Sequence, residues 1–216
     1  MAASPVNLPN LITLGRILAC PVLFVLVLSP ETTHLLTAFI LFVFASVSDL
    51  WDGFLARKYD LVSDTGKILD PLADKLLLAS TLIPFYLVSQ GPDLLGRIPM
   101  WGALPLWVLI VFFGREVAVT LLRAWAARRG HVISAGMSGK IKAFVQNLFS
   151  GSLILWYFLV RTAEVQGWSG TLWEGWAAFH RSFVVTSLAV ALFLTVYSMG
   201  VYLWQYRHLL DDGVRS

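Results

Sequence analysis

Cysteine occurs once in this chain, at Cys20, so no internal disulfide can form and no thiolate metal site can be built. Charge is also scarce. Asp, Glu, Lys and Arg together make up 13% of the residues, where a soluble domain carries about 25%. That scarcity excludes an ordinary soluble domain. No basic residue precedes Leu11 and no small-residue cleavage site follows the first apolar run. The first segment is therefore expected to stay in the mature chain rather than be removed as a secretory signal. Repeats and low-complexity tracts are absent too, and nothing in the composition points to nucleic acid as a partner.

What fills the chain is apolar: 57% of it. Six stretches approach the roughly 20 residues that cross the hydrocarbon of a bilayer. They run near Leu11–Leu28, Leu35–Ala56, Ile68–Ser89, Trp101–Leu122, Ala143–Val160 and Phe183–Trp204. Little remains between them for a second globular domain. The expected fold is an all-α integral membrane protein, residues 1–216 forming one domain, with six transmembrane helices in one bundle. Basic residues give the orientation. One set of loops holds Arg57, Lys58, Lys67, Arg123, Arg128, Arg129, Lys140, Lys142, Arg207 and Arg215; the other holds only Arg97, Arg161 and Arg181. Both termini are thus expected in the cytoplasm, in a membrane such as the bacterial inner membrane. Tryptophans near the span ends suit interfacial anchors, and the Gln166–Gly175 stretch reads as an outer loop.

Against this background four aspartates stand out. Asp49 and Asp52 are three apart at the end of the second apolar stretch, and Asp70 and Asp74 are four apart at the start of the third. Both spacings place side chains on one face of a helix. A short loop joins the two helices, so their ends adjoin and all four carboxylates can point into one cavity at the cytoplasmic end. A carboxylate near membrane depth costs about 2.5–3.5 kcal/mol even on the lenient insertion scale. Several together need a counter-charge, and a divalent cation is the economical one. Oxygen ligands suit magnesium, manganese or calcium rather than zinc. Four carboxylates can hold two ions, as in phosphoryl displacement. Gly53, Ala56 and Gly66 remove side-chain bulk, so a backbone or a ligand can come close. Asp60 and Asp64 read as solvated helix ends.

The run from Asp49 to Asp74, D-x-x-D-G-x-x-A-R-x(8)-G-x-x-x-D-x-x-x-D, resembles the signature of the CDP-alcohol phosphatidyltransferases residue by residue. These are six-helix membrane enzymes that move a phosphatidyl group from a CDP-linked lipid to an alcohol and release CMP. The resemblance implies that Asp49, Asp52 and Asp70 hold one Mg2+ or Mn2+ and that Asp70 and Asp74 contribute to a second. It makes Asp74 the general base, gives Gly53 and Ala56 the cytidine, and gives Arg57 the diphosphate. It also implies a homodimer.

A second region bears on the acceptor. It runs from Arg115-Glu116 through Arg123 to Gly139-Lys140-Ile141-Lys142 and Gln146. Arg115 and Arg123 lie about two turns apart and can face one side. Adjacent residues on a helix do not face each other, which argues against an internal Arg115–Glu116 pair. With Lys140 and Lys142 these arginines offer the fork of cations that a phosphate-bearing acceptor needs. The set resembles the branch of the family that makes phosphatidylglycerophosphate. So does the opening Asn7 to Arg16, in which Asn10, Thr13 and Arg16 would line the CDP-lipid side. Two positions depart from the branch, Ala124 and Ser138. The expected substrates are CDP-diacylglycerol and glycerol 3-phosphate. The alternatives are the same chemistry on inositol phosphate, serine or phosphatidylglycerol, or a small ion-coupled transporter. Transporters usually carry inverted repeats and midplane sites, and here the acids gather at one end.

Overall fold

The structure, a computed structural model, describes residues 8–58, 64–130 and 136–207, apart from the side chains of Leu50, of residues 52–58, of residues 64 and 65 and of Lys67. Six α-helices follow one another: α1 Leu8–Leu28, α2 Thr32–Lys58, α3 Asp64–Gln90, α4 Leu106–Arg128, α5 Met137–Gln166 and α6 Thr171–Gln205. A single 3-10 turn among the described residues, η1, spans Leu94–Gly96. Long apolar segments become helices because a helix satisfies every backbone N–H and C=O within itself, which hydrocarbon demands.

Five of these helices (α1, α2, α3, α5 and α6) are long and apolar enough to cross a membrane. The fourth differs in charge rather than length. Every 18-residue stretch of α4 includes at least Arg115, Glu116 and Arg123. Several boundaries also differ from the sequence reading, α5 reaching six residues further at each end than Ala143–Val160. The helix expected from Trp101 begins at Leu106, after Pro105 at its N-cap. The expected Gln166–Gly175 loop shrinks to four residues. Gln166 belongs to α5, and α6 begins at Thr171. A Schellman stop ends α5: Gly167 has φ 66° and the Trp168 N–H donates to the Ala163 carbonyl at 2.9 Å. The early start of α6 has a packing cause. Trp173, Trp176 and His180 recur on one helical face, where rings of neighbouring turns stack at 5.6 Å and meet at 4.6 Å between centroids.

The chain divides into two compact units, the first comprising residues 1–104 and 150–184 and the second residues 105–149 and 185–216. In the first, α1 packs along both α2 and α3, which touch each other far less among the described residues. Its core includes Leu23, Val27, Phe42, Leu77, Leu82 and Phe85. Phe42 lies where a Cβ on Gly151 would come within 2.9 Å of its ring, so glycine there sets how closely α2 and α5 approach. Buried hydroxyls bond to their own helix, as Thr81 does to Leu78, or across helices, as Thr81 does to Ser150 at 3.4 Å. Outward faces carry Leu18, Val25 and Phe44. In the second unit Val119, Ala126 and Tyr202 form a small core with Leu122, Trp125 and Met199 around it.

Candidate active site

In the first unit three helices contribute. Asp49 ends the apolar part of α2, Asp70 and Asp74 lie in the first turns of α3, and Thr13 and Arg16 stand one turn apart on α1. The Arg16 side chain is fully buried. A buried guanidinium needs counter-charge. Its Nη1 lies 2.6 Å from Asp49 Oδ1 and 3.6 Å from Asp74 Oδ1, so carboxylates of α2 and α3 meet on one nitrogen. The Thr13 hydroxyl donates to Asp70 Oδ1 at 3.0 Å. Asn10 is buried on the same helix face and Gly66 is buried near the start of α3. Within the described residues α1 supplies the groups that gather the acids of α2 and α3, while the ends expected to adjoin lie largely outside them. Asp52, Gly53, Ala56 and Arg57 sit on α2, but their side chains lie outside the described residues, as does all of Asp60.

The donor set suits a hard cation. Three carboxylates from two helices, one side chain more than half exposed at Asp74, offer oxygen ligands and an open face. Among the described residues no three such groups stand close enough to ligate one ion. The cation among them is the Arg16 guanidinium.

In the second unit two arginines of α4 gather around a tyrosine of α6, and Lys142 of α5 joins them through Glu116. Arg115 and Arg123 stand over the Tyr202 ring, 5.3 and 5.4 Å from its centroid. The Tyr202 hydroxyl accepts from Arg123 Nη2, and from the Gly136 N–H at 3.3 Å. Arg115 Nη1 donates to Glu116 Oε1 at 3.0 Å, and Lys142 Nζ donates to the same oxygen. The expectation against an Arg115–Glu116 pair is therefore corrected. Both side chains are long enough to turn toward Lys142 although their Cα positions diverge. Arg115 Nε also bonds Ser198 at 3.2 Å. Lys140 is exposed at the start of α5. Gln146, buried, donates to Thr195 at 3.2 Å and thus ties α5 to α6.

Three cations against one carboxylate leave this cluster positive. Arg115 Nη2 and Arg123 Nε are buried with no hydrogen-bond partner among the described residues. An unmet buried donor costs about 1–3 kcal/mol. An anion would satisfy both. Gly139 borders the place, where a Cβ would come 3.5 Å from Arg115 Nη2, an ordinary contact. The reading from sequence missed Tyr202 and Ser198. Both sit on the last helix, past the region where any motif is legible, and only the tertiary fold brings them to Arg115 and Arg123.

Comparison with known proteins gives concordant results. The CDP-alcohol phosphatidyltransferase family matches residues 6–197. A protein of Bacillus subtilis named CDP-diacylglycerol–glycerol-3-phosphate 3-phosphatidyltransferase is 40% identical over 162 residues, covering 69% of this chain and 77% of that one. A protein of the same name from Pseudomonas fluorescens is 38% identical over 130 residues, 60% of this chain and 61% of that one. Another, from Rickettsia typhi, is 34% identical over 149 residues, 69% of this chain and 76% of that one.

Proposed function

The chain belongs to the CDP-alcohol phosphatidyltransferase family, and from that membership we infer that it transfers the phosphatidyl group of CDP-diacylglycerol to glycerol 3-phosphate. The products are phosphatidylglycerophosphate and CMP. The names of its relatives support this acceptor. The observation that carries the chemistry is the meeting of Asp49 and Asp74 on one Arg16 nitrogen, because it gathers carboxylates of two helices at one point.

Asp49, Asp52, Asp70 and Asp74 would hold one or two Mg2+ or Mn2+ ions, which when bound neutralise charge on the diphosphate. The chain's own residues do the rest. Asp74, the more exposed acid with the longer contact to Arg16, takes the proton from the sn-1 hydroxyl of the acceptor. That oxygen bonds the phosphorus bearing the diacylglycerol, and the bond from this phosphorus to the CMP oxygen breaks. Thr13 fixes one Asp70 oxygen. Asn10 and Arg16 line the lipid side, while Gly53, Ala56, Gly66 and Arg57 receive the cytidine diphosphate. Arg115, Arg123, Lys140 and Lys142 bind the acceptor's phosphate, and the unmet donors of Arg115 and Arg123 favour a phosphate over a neutral alcohol. The enzyme works as a six-helix membrane protein, α4 included, and as a homodimer, with both termini and the acids on the cytoplasmic side.

The test is CMP release by purified protein supplied with CDP-diacylglycerol and a panel of alcohols. Glycerol 3-phosphate should be the preferred acceptor, and excess chelator should abolish turnover. Equal use of glycerol or inositol would reject the phosphate-binding reading, and turnover in chelator would reject the metal.

A further inference from the structure

In the first unit a cavity of about 400 Å³ opens far from the aspartates. It lies beyond the end of α3, about 30 Å along that helix from Asp70 at 1.5 Å per residue. That is roughly the thickness of the hydrocarbon core. Its walls come from the connection after η1, from Trp156 and Val160 of α5 and from Arg181 of α6.

Two features make it a built site rather than a gap between helices. The connection is ordered by its own bonds: Ile98 and Gly102 exchange hydrogen bonds at 2.8 and 2.9 Å, and Asp93 caps η1 through the Leu95 N–H at 3.0 Å. Met100, at its tip, holds φ 60°, a left-handed conformation that a side chain resists. The Trp156 wall is buried and stacks on His180 at 5.7 Å, which in turn meets Trp176. A ladder of rings therefore continues from the cavity toward Trp173 and Trp168. Tryptophans grouped in this way mark the level of the lipid headgroups.

Charge identifies the occupant. Arg97, Arg161 and Arg181 are the three basic residues of the loop set that is otherwise poor in them. Arg161 is engaged, pairing with Asp93 and, at 3.2 Å, with Glu164. Those two acids are thereby used. Arg97 and Arg181 line the cavity without a carboxylate partner among the described residues, beside Ile98, Val160 and Leu94. Two guanidiniums over an apolar floor at headgroup level match a phosphodiester anion carried on acyl chains. The volume fits a headgroup and not a whole lipid.

We propose that this cavity binds the phosphate of an anionic phospholipid in the leaflet opposite the aspartate site, with Arg97 and Arg181 as its ligands. The site is separate from the catalytic residues and does not rest on the catalytic reading. The probe is native mass spectrometry of the full chain, released from micelles containing either phosphatidylglycerol or phosphatidylcholine. Wild type should retain phosphatidylglycerol and not phosphatidylcholine. Arg97→Gln with Arg181→Gln should weaken retention at least about tenfold, while Arg97→Lys with Arg181→Lys should keep a measurable part of it. Unchanged circular dichroism of the Gln variant would exclude misfolding. Equal retention by wild type and the Gln variant would overturn the proposal, as would equal retention of the two lipids. Complete displacement by millimolar inorganic phosphate would overturn it too, because the ligand would then be the free anion.

Discussion

Asp49 and Asp74 resemble each other in sequence but not in surroundings. Asp49 holds a fully buried guanidinium at 2.6 Å, whereas Asp74 is more exposed and contacts it only at 3.6 Å. Removing one partner of a buried pair leaves an uncompensated charge, at a cost of about 3–5 kcal/mol when burial is complete. The partial exposure of Asp49 lowers that figure. Asp49→Asn should therefore reduce the melting temperature in chelator more than Asp74→Asn does, although both should abolish CMP release. Equal melting temperatures would mean that Asp49 holds Arg16 no more firmly than Asp74 does. In the second unit, Arg123→Ala removes a charge-assisted contact worth roughly 1.5–3 kcal/mol. The acceptor KM should rise by about one to two orders of magnitude, with little change in the KM for CDP-diacylglycerol. Tyr202→Phe keeps the ring under both arginines and loses only the hydroxyl that accepts from Arg123 and Gly136. Its effect should have the same selectivity and a smaller size, about 1 kcal/mol or some fivefold in acceptor KM. Equal weakening of both substrates would show that these residues hold the fold rather than the acceptor.

At the level of elements, the contact of η1 with α3 depends on a missing side chain. A Cβ on Gly96 would fall 2.4 Å from Val88 Cγ1. Valine is stiff at χ1 and cannot swing that methyl aside. Gly96→Ala should then destabilise the protein by about 1–3 kcal/mol, the usual range for overpacking. Adding Val88→Ala removes the obstructing methyl and should recover part of the loss, which thermal unfolding of the single and double variants would measure. If the double variant is the less stable one, η1 is held by its other bonds. These include the Leu95 N–H donating to Asp93 at 3.0 Å and the Arg97 N–H donating to the Leu94 carbonyl at 3.3 Å.

For the whole molecule the prediction concerns topology. Ten basic residues in one set of loops against three in the other predict that both termini are cytoplasmic. In a Cys20→Ser background, an impermeant thiol reagent added outside should label Gly170→Cys and not Arg128→Cys. The reverse pattern would mean that the assignment is inverted or that α4 does not span, and labelling of both would mean that α5 does not separate the two positions. The sequence by itself determined the helical class, the apolar spans to within a turn or two at most ends, the pairs of acids and the family. Each of these is carried by composition or by spacing along a single segment. The tertiary structure decided which groups meet. Arg16 reaches Asp49 across 33 residues, Thr13 reaches Asp70 across 57, and Arg123 reaches Tyr202 across 79. It also extended α6 back to Thr171 and turned Arg115 toward Glu116. The physical reason is the solvent. A helix in lipid is apolar nearly all round, so its sequence carries no polar stripe to say which face turns inward. Partners are chosen instead by how α1 packs on α2 and α3, and by how α4, α5 and α6 enclose Tyr202, which no local spacing records.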